Sequence, residues 1–311
     1  MHQPVLHYVT AYADSVPAID LKTHSLLFTH IPKAGGTTLS HILEPVAASS
    51  HIPHPRAIGT IYGQFHGAGK GEAMFEFGRL PEHLLHKRAF FFGHLPYGMH
   101  RVLSHPYFYV TLLREPTARL LSQYRFGIRR GGWGESSPIA EVIEKGLIVD
   151  NLQTRMLAGL PNSSPPCTAE TLKAAIAHLR SEYAVVGTAE RFNEMLKLLI
   201  TLLGWPDIAY RKWQVSEGAV SANQMEEARA AVQRYFTYDI ELYVVARELA
   251  KQNAMRLLTG NAKGSKRQDR VMVCIPGSSF DGAEHVLMSA EHFDGKFVPK
   301  LKARGFKIAF V

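Results

Sequence analysis

Lys33, Gly35, Gly36, Thr37 and Thr38 form a run that can hold a phosphate group. The two glycines permit a tight turn in which backbone N–H groups approach a ligand closely, and the lysine brings a positive charge to the same place. Thr37 or Thr38 suits the N-cap of a following helix, whose dipole adds to the attraction for an anion. The lysine precedes the glycines, so the run is not the nucleotide-triphosphate loop that ends in Gly-Lys-Ser/Thr. An ordinary strand-to-helix turn with a solvated lysine would have the same spacing. Further along, His94 is the residue type that takes a proton near neutral pH. Arg114 brings a second positive charge, which a structural ion pair would also explain.

The surrounding segments must bring these groups together. Leu26–Ile31 is a short, nearly continuous apolar run, as expected for a strand buried on both faces of a parallel sheet, and Pro32 ends it. Ala89–Phe92 is a second such run and Tyr107–Leu113, aromatic and β-branched, a third. Lys33, His94 and Arg114 each follow a predicted strand, and ligands of open parallel sheets bind at the carboxyl ends of strands, so the three should share one crevice. Pro116 suits the first turn of a helix that carries Arg119 and Ser122 on one face. The expected fold class is α/β, a P-loop-like three-layer arrangement with a central, mainly parallel sheet flanked by helices.

The remaining chain frames that crevice. Met1–Thr23 reads as an irregular lead-in, and His51–Gly71, rich in His, Pro and Gly, as a long surface loop without the helical spacing of a metal site. Gly127–Gly134 reads as a basic, glycine-rich flap. Pro138–Leu157, Thr168–Leu179, Ala189–Leu203 and Ser221–Gln252 read as helical, the last with a break near Tyr235–Asp239. Tyr183–Val186 reads as a fourth strand. Composition changes at Asn261, so residues 1–260 are expected as the main domain. Residues 261–311 would be a βαβ-like appendage or a final part of the sheet.

The 311 residues carry 35 Lys and Arg against 27 Asp and Glu, a net +8 that favours phosphorylated or sulfated partners. No helix-turn-helix spacing or aromatic RNA-binding signature points to nucleic acid. Cys167 and Cys274 are far apart and neither belongs to a CxxC pair, which argues against a disulfide framework or a cysteine zinc site. No signal peptide and no run of about 18 apolar residues is present, so a cytoplasmic enzyme with no membrane span is expected.

Two stretches resemble a known family. His30-Ile-Pro-Lys-Ala-Gly-Gly-Thr-Thr-Leu39 is similar to the 5′-phosphosulfate loop of sulfotransferases that use 3′-phosphoadenosine 5′-phosphosulfate (PAPS). Arg114-Glu-Pro-Thr-Ala-Arg-Leu-Leu-Ser-Gln-Tyr124 is similar to their 3′-phosphate motif, and Phe92-Gly-His94 to the catalytic His-Gly-His of the branch that contains heparan sulfate and uronyl 2-O-sulfotransferases. Phe92 stands where that branch has its first histidine.

The resemblance implies sulfuryl transfer from PAPS to a hydroxyl, with 3′-phosphoadenosine 5′-phosphate (PAP) as product and no metal. Lys33 would meet the bridging oxygen and 5′-phosphate, and Ala34, Gly35, Gly36, Thr37 and Thr38 would line the 5′-phosphosulfate. Arg114 and Ser122 would hold the 3′-phosphate, and His94 would be the general base. The acceptor would be a small molecule or a carbohydrate, with Gln64–Lys70 and Gly127–Gly134 as its walls. Arg129, Arg130 and Trp133 could hold an anionic sugar by charge and stacking or simply form a solvated flap, and Arg155 could face the same cleft or be a helix-surface charge. Arg211, Lys212 and Ser216 are available on the adenine side. A nucleotide-dependent kinase and a catalytically silent nucleotide-binding module are the alternatives. Against the kinase stand the absent Gly-Lys-Ser/Thr and the absence of an evident acidic strand end for magnesium.

Overall fold

The computed structural model describes residues 5–11, 19, 23–49, 90–160, 165–213, 220–258, 270–275 and 285–310. His51–Gly71 with the expected acceptor wall Gln64–Lys70, Ser216, and the start of the linker at Asn261 lie outside them. Val5–Val9 forms a first strand, β1. The apolar runs follow as β2 (Ser25–Thr29), β3 (Phe90–Gly93), β4 (Tyr107–Leu113) and β5 (Tyr183–Thr188). These four make one parallel sheet in the order β3-β2-β4-β5. From β2 the chain moves out to β3 and then returns to β4 on the other side. The order reverses at β2, and such a reversal opens a crevice at the carboxyl ends of the strands.

Both faces of this sheet are apolar because both are covered. Leu26, Phe28, Phe90, Val110 and Leu112 pack against α1 (Gly36–Ser49) and α6 (Phe192–Leu203). Leu27, Phe91, Tyr109, Leu113 and Val186 pack against α4 (Leu152–Ala158), α5 (Ala169–Ser181) and α8 (Thr237–Leu258). Helix α2 (Pro116–Arg129) forms a smaller core with α3 (Ile139–Glu144) and α7 (Ala222–Tyr235), centred on Leu120, Leu121, Ile139, Val142 and Val232. Leu39, Ile42, Leu43 and Val46 of α1 recur at helical spacing and are fully buried, each contributing about 1.5–3 kcal/mol relative to exposure.

The expected α/β architecture, a mainly parallel sheet between helical layers, is therefore present, and a second sheet accompanies it. This five-stranded sheet has the order β8-β7-β6-β1-β9, with β6 (Asp207–Tyr210), β7 (Arg270–Cys274), β8 (His285–Ser289) and β9 (Lys307–Phe310). Strand β1 lies antiparallel to β6 and parallel to β9. The lead-in read as irregular thus holds a strand, whose partners lie some 200 and 300 positions along the chain. Helices α1 and α6 pack against both sheets. Among the described residues, no helix is long and apolar enough to cross a membrane.

Candidate functional site

Strand β2 ends at Thr29, and the chain turns through Lys33 and Gly35 before α1 begins at Gly36. Both turn residues have a positive φ, 65° at Lys33 and 91° at Gly35. Glycine adopts this conformation freely, whereas lysine is strained there. The helix starts ahead of Thr37 and Thr38, so both threonines sit in its first turn, not at the N-cap expected of one of them. The left-handed Gly35 lets the chain enter the helix directly, and first-turn N–H groups point back over the loop. The Thr38 hydroxyl accepts from Trp213 N at 3.0 Å and still has its own proton to donate. Trp213 in turn stacks on His41, ring centroids 4.2 Å apart. Ala34 is buried beneath the turn, and its N–H reaches Ile31 O at 3.3 Å.

Arg114 follows β4 and reaches across to this loop: its Nη1 donates to Lys33 O at 3.1 Å. The contact joins the two sequence motifs and supports the strained lysine. Gln153 of α4 holds the Arg114 peptide from both sides, accepting from Arg114 N at 2.9 Å and donating to Arg114 O at 3.0 Å. The Lys33 ammonium rests 4.1 Å from the centroid of the Phe126 ring, and the Arg130 guanidinium lies 5.4 Å from the same ring. Burial, and then the Arg129 and Arg114 charges, hold the Lys33 pKa below its ordinary value. Lys33, Arg114, Arg129 and Arg130 are thus brought to one region around Phe126, which lies one turn of α2 beyond Ser122. Ser122 is buried, and its hydroxyl bonds to no other described residue.

His94 follows β3, and its Nδ1 lies 2.6 Å from His30 O. A carbonyl oxygen only accepts, so Nδ1 carries the hydrogen and Nε2 keeps the lone pair. Enclosure of the ring lowers the His94 pKa to about 4; the bond to His30 O opposes the shift and the Lys33 charge adds to it. His94 is therefore neutral at pH 7 with Nε2 as its basic atom.

Two expected acceptor residues are placed differently. The Trp133 ring lies on Gly127, where an added Cβ would come within 2.0 Å of it, and 6.0 Å from the Tyr124 ring. Gly127 continues α2, and Tyr124 Oη donates to Ser137 O at 2.5 Å, so the expected flap is pinned to the helix. Arg155 is 3% exposed and faces a loop, not the crevice. Its Nη2 pairs with Asp150 Oδ1 at 2.8 Å and its Nη1 donates to Pro165 O at 3.0 Å, because Asp150 stands within reach just before its helix.

The residue spacing alone did not reveal Gln153, Phe126 or His30. His30 had a visible signal: it is the first residue beyond a predicted strand. Among the described residues, no group of three or more His, Cys, Asp or Glu side chains could hold a metal ion.

Residues 18–140 match the family model described as "Sulfotransferase family". That span holds Lys33, His94, Arg114, Ser122, Arg129, Arg130 and Trp133, while Arg155 lies beyond it. No curated protein matches the chain. The family match supports sulfuryl transfer as the activity.

Proposed function

We propose that the chain is a sulfotransferase that takes the sulfuryl group of PAPS and moves it to a hydroxyl, most simply that of a carbohydrate. The observation that carries the reading is the Arg114–Lys33 contact. It draws the cations of two separated motifs into one crevice, within a segment that matches a sulfotransferase model. The loop fits a phosphate: Gly35 is exposed with a left-handed backbone, α1 starts beside it, Arg114 bonds to the loop at Lys33 O, and the Arg129 charge is felt at Lys33.

In this reading Ala34, Gly35, Gly36, Thr37 and Thr38 line the 5′-phosphosulfate, and Arg114 with Ser122 holds the 3′-phosphate. The N–H groups of Thr117 and Ala118 are taken by the Glu115 carboxylate at 2.9 and 2.7 Å, so the 3′-phosphate depends on side chains and not on the start of α2. His94 Nε2 takes the proton of the acceptor hydroxyl as the new O–S bond forms. The S–O bond to the 5′-phosphate breaks on the opposite side, and its electron pair stays on the phosphate oxygen, where Lys33 meets the developing charge. In this reading Arg129 and Arg130 attract an anionic acceptor.

Radiolabelled PAPS incubated with a panel of carbohydrate acceptors tests the reading. His94→Asn should reduce transfer about 10²–10⁴-fold, the ordinary contribution of a general base. PAP binding should be retained. Transfer at the wild-type rate by His94→Asn would remove His94 from the chemistry. A kinase would require magnesium and ATP, and a silent module would bind PAP without any turnover.

A further inference from the structure

His30 stands at the centre of the crevice, between the base and the phosphate loop. Strands β2 and β3 are in register with Thr29 opposite Gly93, and His30 N donates to Gly93 O at 2.9 Å. The next residue on each strand is a histidine, and neighbours in a parallel register project from the same face. The rings meet accordingly, with centroids 4.6 Å apart and planes tilted by 47°.

The other side of the His30 ring lies against the start of α1. A Cβ on Gly36 would come within 2.1 Å of His30 Cδ2 and 2.5 Å of Nε2, so the loop accepts only glycine beneath this ring. Phe28, two residues back, stacks nearly parallel to it at 5.4 Å and fixes its plane. No described residue hydrogen-bonds either ring nitrogen, and the side chain is only half-buried.

We propose that His30 touches the group in transfer, donating its ring N–H at Nε2 to an oxygen of the sulfuryl group while the adjacent His94 receives the acceptor's proton. This rests on the PAPS reading above. The position beside His94 that Phe92 leaves without a histidine is thereby filled from the neighbouring strand. His30 makes and breaks no covalent bond. Its N–H supplies a neutral donor where three sulfuryl oxygens carry negative charge, and Phe28 and Gly36 hold it there before substrate arrives.

The test needs no acceptor, because PAPS and PAP differ by the sulfuryl group alone. Affinities of both for the full-length protein, measured by competition, are compared among wild type, His30→Phe and His30→Gln. His30→Phe keeps a ring but has no donor and should bind PAPS about tenfold more weakly, the worth of one hydrogen bond to a charged oxygen. Its PAP affinity should be unchanged, which also reports an intact fold. His30→Gln, with an N–H at similar reach, should recover most of the loss. Parallel weakening of PAPS and PAP, no weakening of either, or a glutamine variant no better than phenylalanine would overturn the assignment. Wild-type protein that fails to prefer PAP over adenosine 5′-phosphate would instead overturn the PAPS reading beneath it.

Discussion

At the scale of single residues, the crevice is governed by charges held in poorly solvated positions. His94 is bonded through Nδ1 to a carbonyl and its pKa is lowered to about 4, so it binds fewer protons folded than unfolded across the interval from about 4 to its ordinary 6.5. Stability from this group is complete above pH 6.5 and is lost as the pH falls through about 4. Wild-type protein should therefore lose thermal stability between pH 6.5 and 4.5 more steeply than His94→Asn. Equal slopes would contradict the enclosure of His94. Lys33 is held down by burial as well, and two guanidinium groups add to it, disfavouring its charge. Its cation–π contact with Phe126 offsets part of that cost.

At the scale of elements, helix α4 and helix α8 position Arg114. Asp239 of α8 accepts from Thr154 N and Thr154 Oγ1, each at 2.8 Å, and from Gln153 N at 3.4 Å. Gln153 then brackets the Arg114 peptide. Asp239 also faces the fully buried Arg119, whose guanidinium nitrogens have no hydrogen-bond partner among the described residues. Replacing Gln153 with leucine leaves a buried N–H and a C=O unmatched, at about 1–3 kcal/mol each. Gln153→Leu should lower the unfolding free energy by that order and weaken PAP binding, whereas Gln153→Glu keeps the acceptor for Arg114 N and should do less harm. Denaturant unfolding beside calorimetry measures both effects, and equal behaviour of the two variants would contradict the bracket.

The sequence made the strand ends legible, because buried parallel strands are written as apolar runs and Lys33, His94 and Arg114 stand directly after them. Gln153 was hidden because its contact with Arg114 depends on how α4 packs across the sheet, and no local period records that. Arg155 misled for the same reason: only the fold shows Asp150 and Pro165 around it.

At the scale of the whole molecule, two sheets share one core through α1 and α6, and the turn through Lys33 and Gly35 leads directly into α1. Strand β1 was illegible because five residues, Val-Leu-His-Tyr-Val, become a strand only through partners at Asp207–Tyr210 and Lys307–Phe310. The far side of the second sheet, with Leu6, Tyr8, Ala209 and Val273, is covered by Phe293, Phe297 and Leu301. Ending the chain at Leu258 removes that cover and leaves β1 and β6 with free edges, which promote aggregation. The shortened protein should be aggregated and should not bind PAP; a monomeric, PAP-binding fragment would contradict this account.

The most direct measurement for the whole reading is calorimetric titration with PAP, adenosine 5′-phosphate and ATP in the absence of magnesium, for wild type and Arg114→Ala. The account predicts a strong preference for the 3′-phosphorylated ligand, with Arg114→Ala losing about tenfold or more for PAP alone, as expected for a charge-assisted contact. No binding of PAP, or tighter binding of ATP that requires magnesium, would contradict it and return the crevice to a kinase.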